Sequence, residues 1–229
     1  QDKLACENAV EVKSGELYKH NATRWYKFSS ELFSDASRLP RFSFATPQGK
    51  TNVTFGATVG CEYNIATRVT LPMPGNLDLS FRFPSRIFDV IRKFVHQDVT
   101  EVYLEMTTDK QLNWSIDMTY VDACENAVEL DFTKPIQLDL KANEDVWYKV
   151  DMNAIKALND KEIEYAIYNR SDKQVEILAE ISPTCPVMVS ATKSKSLAAN
   201  DSLVGSLSAK MITTIYDNLL KDYHALKTV

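Results

Sequence analysis

The feature that most constrains this chain is its resemblance to itself. Cys6-Glu7-Asn8-Ala9-Val10-Glu11 returns 118 residues on as Cys124-Glu125-Asn126-Ala127-Val128-Glu129. Trp25-Tyr26-Lys27 returns after 122 residues as Trp147-Tyr148-Lys149, and Cys61 after 124 as Cys185. The offset drifts by a few residues, as loops of unequal length would make it drift. A period this long is a domain and not a solenoid unit. It divides the 229 residues into one module over 1–120 and a second over 121–229, meeting near 119–123. Each is long enough for its own core.

Apolar residues at every second position make both modules β-rich. Phe42 and Phe44 precede the turn-like Pro47-Gln48-Gly49-Lys50, and Val53, Phe55, Ala57 and Val59 follow it. Leu77, Leu79, Phe81 and Phe83 alternate with polar residues. Val102, Leu104 and Met106 run to Thr108-Asp109-Lys110, and Leu112, Trp114, Ile116 and Met118 return. In the second module Ile136, Leu138 and Leu140 alternate. Ile163, Tyr165 and Ile167 lead into polar Asn169–Lys173, and Val175, Ile177, Ala179 and Ile181 leave it. Paired runs about a polar turn predict antiparallel hairpins with one wet face.

One helix is expected in each module. Ser85 can cap a segment near 86–96, with Ile87, Val90, Ile91, Phe94 and Val95 at helical spacing, and Ser208 can cap one near 209–221 with Met211, Ile215 and Leu219. The expected fold is mainly β: two tandem antiparallel β-sandwich modules of jelly-roll or immunoglobulin-like type, each with one short helix. An up-and-down barrel is the alternative. Nothing in the second module matches the Leu112–Met118 run. The expectation is therefore a second module truncated at its C-terminal hairpin and a chain that belongs to a longer multidomain protein. Otherwise the module has lost its last strand and has an exposed edge.

The four cysteines allow three pairings. The repeat favours Cys6–Cys61 and Cys124–Cys185, one structural disulfide per module, and this implies an oxidising compartment. A Cys61–Cys124 bond would instead tie the modules together. The absence of CxxC, with only His20, His96 and His224 as histidines, argues against a metal centre. Neither GxGxxG nor a Walker loop occurs, so no cofactor is expected. Gly205 lacks the second glycine of a nucleophile elbow, and Glu162 and Glu164 fall on the wet face of one strand. No catalytic residue stands out, and the expectation is a protein that is not an enzyme.

A net charge of −5 with no basic stripe argues against nucleic acid; Lys193 and Lys195 are the nearest approach to a basic cluster. No apolar run reaches the roughly 18 residues of a membrane span, so direct membrane insertion is not expected. In Trp-Tyr-Lys, period 2 puts Trp25 and Lys27 on one face and Tyr26 and Phe28 on the other. Trp25 and Trp147 are candidates for a carbohydrate-stacking platform if they are exposed, and core otherwise. Asn-x-Ser/Thr sequons lie at Asn21, Asn52, Asn113 and Asn169.

The order Cys-x-Asn-Ala, Trp-Tyr-Lys and a polar-turn pair ending near the second cysteine resembles repeated β-sandwich modules of secreted and cell-surface Bacteroidetes proteins. Tyr103 and the Met106–Trp114 run are similar to bacterial pre-peptidase C-terminal-like domains. The resemblance implies placement outside the cytoplasm, whether extracellular, at the outer surface or in the periplasm, with any signal peptide removed. It also implies a non-catalytic structural, adhesive or protein-binding role, with a surface protein or a glycan as partner. The alternative is a carbohydrate-binding accessory module of a secreted hydrolase.

Overall fold

The computed structural model describes residues 2–33, 35, 37–75, 77–82, 99–120 and 123–227. The first half opens with helix α1 (Lys3–Glu7), capped by Asp2, whose Oδ1 accepts from the Ala5 amide at 3.1 Å. Nine strands follow: β1 (Val10–Glu11), β2 (Leu17–His20), β3 (Thr23–Ser29), β4 (Arg38–Ala45), β5 (Thr51–Thr58), β6 (Arg68–Met73), β7 (Asp78–Arg82), β8 (Glu101–Thr108) and β9 (Leu112–Tyr120). A 3-10 turn over Ser30–Phe33 joins β3 to β4. The second half holds β10 (Val128–Glu129), β11 (Tyr148–Lys149), helix α2 (Met152–Ala157), β12 (Glu162–Tyr168), β13 (Val175–Ile181), β14 (Val189–Leu197), β15 (Ser202–Ser208) and helix α3 (Ala209–Lys227). The helix expected near 86–96 lies outside the described residues.

The fold is mainly β and sandwich-like. A five-stranded sheet in the order β1-β3-β8-β5-β6 faces a six-stranded sheet in the order β13-β14-β7-β4-β9-β2. Aromatic rings close the space between them. Tyr26 of β3 meets Trp114 of β9 edge-on at 4.8 Å, and Phe44 of β4 meets Phe55 of β5 at 5.5 Å. Such pairs add about 0.5–1.5 kcal/mol each beyond the area they bury. Among the described residues no sheet closes into a barrel.

None of the three strand pairs expected as hairpins is a hydrogen-bonded pair. β4 pairs with β7 and β9, whereas β5 pairs with β6 and β8. β8 and β9 likewise lie in opposite sheets, and so do β12 and β13. These connections are arches that cross from one sheet to the other. Even the shortest, residues 109–111, can span about 13 Å when extended, enough for the roughly 10 Å between packed sheets. Period 2 reports which face is buried. Two strands facing one core from opposite sheets carry the same alternation as two neighbours in one sheet.

The core does not stop where the first half stops. β14 pairs antiparallel with β7, Val189 opposite Phe81 and Ala191 opposite Leu79, so one sheet runs through both halves. Val189, Ala191 and Leu219 of α3 belong to the same buried cluster as Tyr26, Phe42 and Trp114. The second half thus seals one flank of the first half's core.

The alternating residues Ile136, Leu138 and Leu140 form no strand and are at least 42% exposed. A strand needs a neighbour for its backbone groups, and among the described residues this segment has none.

Candidate binding cleft

The four cysteines form two bonds. Cys6 of α1 joins Cys61, with Cα atoms 5.7 Å apart, and Cys124 joins Cys185 at 5.9 Å. Each ties the start of its half to the loop that follows β5 or β13. The segments beside the two bonds are built alike. Val10 pairs in parallel with Tyr26, and Val128 with Tyr148. The Ala9 amide donates to the Cys6 carbonyl at 3.1 Å, and the Ala127 amide to the Cys124 carbonyl at 3.2 Å. The Glu-Asn that follows each cysteine therefore lies in a tight turn, with Asn8 Nδ2 donating back to the Leu4 carbonyl.

The two tryptophans differ. Trp25 is only 4% exposed, on the face of β3 opposite Tyr26, where α1 packs. Both faces of β3 are thus covered, and its ring has no free surface for stacking. Trp147, just before β11, is half-buried. The structure does not bring Trp25 and Trp147 into one site: each lies beside the disulfide-tied start of its own half.

Charged side chains converge on the outer face of the six-stranded sheet. Arg41 of β4 donates to both oxygens of Asp117 on β9, at 2.9 and 2.6 Å, and to Glu180 of β13 at 3.1 Å. Arg82 of β7 donates to the other Glu180 oxygen at 3.2 Å and to Thr119 Oγ1 at 2.8 Å. Burial lowers the pKa of Arg82. At Arg41 burial also acts downward, but the Asp117 and Glu180 carboxylates outweigh it and the net direction is up. Two cations and two anions balance, and Glu180 bridges strands from both halves. With its charges compensated in this way, the cluster acts as a clasp and offers little to an incoming ligand.

Two further polar groups are committed to the scaffold. His20 is fully buried between Tyr26 Oη, at 2.8 Å from Nδ1, and the Ala22 carbonyl, at 2.9 Å from Nε2. An Nε2–H tautomer satisfies both contacts, and burial pushes the pKa down. Asn169 is buried at the β12–β13 arch. Its Nδ2 donates to the carbonyls of Lys173, Leu197 and Ala198, and its Oδ1 accepts from Ser171. The sequon there is closed, whereas Asn21 and Asn52 are exposed.

A large concavity, an open cleft of about 3210 Å³, is lined mostly by the second half and on one side by the first. Its walls are β12, β13, β14, β15, α3 and the irregular segment 130–145, with β6 of the first half closing one side. Ser208 caps α3, accepting from the Met211 amide at 3.4 Å, and Ile215 and Asp222 point the helix's contribution into the cleft. The inward residues Ile163, Tyr165, Ile167, Ile177, Leu203 and Leu207 are only half-buried. Their counterparts in the first half are closed: Phe42, Phe44, Val53, Leu79 and Phe81 are all under 5% exposed. Burial raises the pKa of the Asp222 carboxyl to about 6, and it has no hydrogen-bond or ion-pair partner among the described residues. Asp222 escaped the sequence reading because an acidic residue late in an amphipathic helix looks solvent-facing.

No protein-family model matches the chain, and no curated protein matches it in sequence.

Proposed function

We propose that this chain is a non-catalytic module of a secreted or cell-surface protein, built from two repeated halves and serving a structural, adhesive or protein-binding role. The observation that carries the reading is the junction. A sheet continuous through both halves, clasped by Arg41, Arg82 and Glu180, makes a stiff unit of fixed spacing. Two disulfides with no free cysteine favour an oxidising compartment. The repeated cysteine and Trp-Tyr-Lys landmarks build the same local turn and parallel strand pair in each half, which supports descent from one duplicated unit. Placement within a longer surface protein, as the resemblance to Bacteroidetes modules implies, is part of this proposal.

The carbohydrate-binding alternative rests on Trp147 alone, because Trp25 is covered. Labelling intact source cells with an antibody against the chain tests the placement. Staining without permeabilisation supports it, and staining only after permeabilisation refutes it. A glycan array probed with the wild type and Trp147→Ala separates the roles: glycan binding lost in the variant would replace the structural reading with the carbohydrate-binding one.

A further inference from the structure

The second half repeats most of the first half's strand pairings, and the pairings it leaves out define a site. β13 pairs with β14, Val175 opposite Leu197, as β5 pairs with β6, Thr51 opposite Met73. β12 pairs with β15, Tyr165 opposite Gly205, as β4 pairs with β7, Phe42 opposite Phe81. In the first half β8 lies between β3 and β5, and β9 between β4 and β2. In the second half the corresponding edges of β11, β13 and β12 have no partner among the described residues. The strand-patterned segment around Leu138 has none either, and its first-half counterpart β2 is held by β9 alone. Three of these positions, at β12, β13 and residues 136–140, border one cleft lined by half-buried apolar side chains.

We propose that this cleft is a slot for two strands, filled by a β-arch of the β8–β9 pattern joined to the C-terminal end of α3. One strand would lie between β11 and β13, the other between β12 and residues 136–140. Alternate apolar side chains would point inward, as Leu104, Met106, Trp114 and Ile116 do in the first half. Chain order argues for this source, because β8 and β9 are the strands that come after β7 and the segment following it in the first half. Open edges beside an apolar groove are the features by which strand addition is recognised. The inference stands on strand pairing and survives if the surface placement proposed above fails.

The test extends the 229-residue chain with a second copy of residues 99–120 and follows amide hydrogen exchange. The expected result is slowing of about tenfold or more in β12, β13 and residues 136–140, with β3 and β5 unchanged. The slowing should vanish when the appended copy carries Leu104→Asp and Trp114→Asp at its own counterparts of those positions. Unchanged exchange in a folded extended chain, or equal slowing by the disrupted copy, would overturn the proposal. If the extended chain does not fold, a synthetic peptide of residues 99–120 titrated onto the 229-residue protein decides, and no slowing at saturation refutes the slot. Slowing by the free peptide but not by a folded extended chain would refute the covalent source and assign the slot to strands from another molecule.

Discussion

Replacing Glu180 by Gln tests whether the clasp holds the halves together. Glu180 is 10% exposed at its side chain, and each oxygen serves a different arginine, Arg41 at 3.1 Å and Arg82 at 3.2 Å. Gln keeps the shape and one acceptor but removes the charge and turns an amide N–H toward a guanidinium. Arg41 retains Asp117, whereas Arg82, 5% exposed, retains only the Thr119 hydroxyl and has Nη1 unpartnered among the described residues. Breaking a buried pair on one side costs about 3–5 kcal/mol. The acceptor that Gln retains puts the expected loss at the lower end, about 3 kcal/mol. For a chain of this size that is a fall in melting temperature of about 6–12 °C. Because the charge left behind causes the cost, the double variant Glu180→Leu with Arg82→Met should recover most of it. Differential scanning calorimetry of the three proteins measures both effects, and in the single variant the transition should broaden or split as the halves uncouple. A loss below about 0.5 kcal/mol, the range of exposed pairs, would refute the reasoning. So would a double variant no better than the single.

Trp25→Ala should destabilise by about 3–5 kcal/mol in urea unfolding, and Trp147→Ala, at a half-buried site, by roughly half as much; equal costs would contradict the different burial of the two rings. Asp222→Asn should raise the melting temperature at pH 7. A carboxyl raised to about 6 in the folded state, against about 3.9 unfolded, costs stability at neutral pH that is regained as pH falls through 6 toward 4, so the variant should also lose that stabilisation on acidification. His20 acts the other way. Its pKa is lowered on folding, so stability is complete above the unfolded value of about 6.5 and is lost as pH falls below it, and His20→Gln should flatten that decline in melting curves. Asn169→Ala leaves the Lys173, Leu197 and Ala198 carbonyls without their shared donor and should cost about 1–3 kcal/mol in chemical denaturation.

Much of the architecture could be read from the residues, and the remainder had a physical reason to stay hidden. Alternation located β4, β5, β8, β9, β12 and β13 because each has one buried face. It could not distinguish arches from hairpins, since strand pairing is made by backbone groups that all residues share. The segment around Leu138 reads as a strand because it carries strand chemistry, but a strand also needs a neighbour, which lies outside its own sequence. The aromatic Trp25 is ambiguous for a related reason: β3 is covered on both sides, and period 2 names two faces without saying how many are wet. The Arg41–Glu180 and Arg82–Glu180 contacts join positions 139 and 98 residues apart, so no local pattern announces them. The cysteine pairing was legible because the same two landmarks occur twice.

The junction between the halves also has a direction. On one side it uses β7, a strand of the six-stranded sheet. On the other it uses β14, whose pairing with β13 corresponds to that of β6 with β5 in the five-stranded sheet. The contact therefore joins unlike edges. The two strands this pairing leaves over, β6 of the first half and β15 of the second, both contact α3 and border the same cleft, so they lie together beside the joint. The step between unlike edges is therefore taken once, and α3, packed against β14, β6 and β15, occupies the place where it would be repeated.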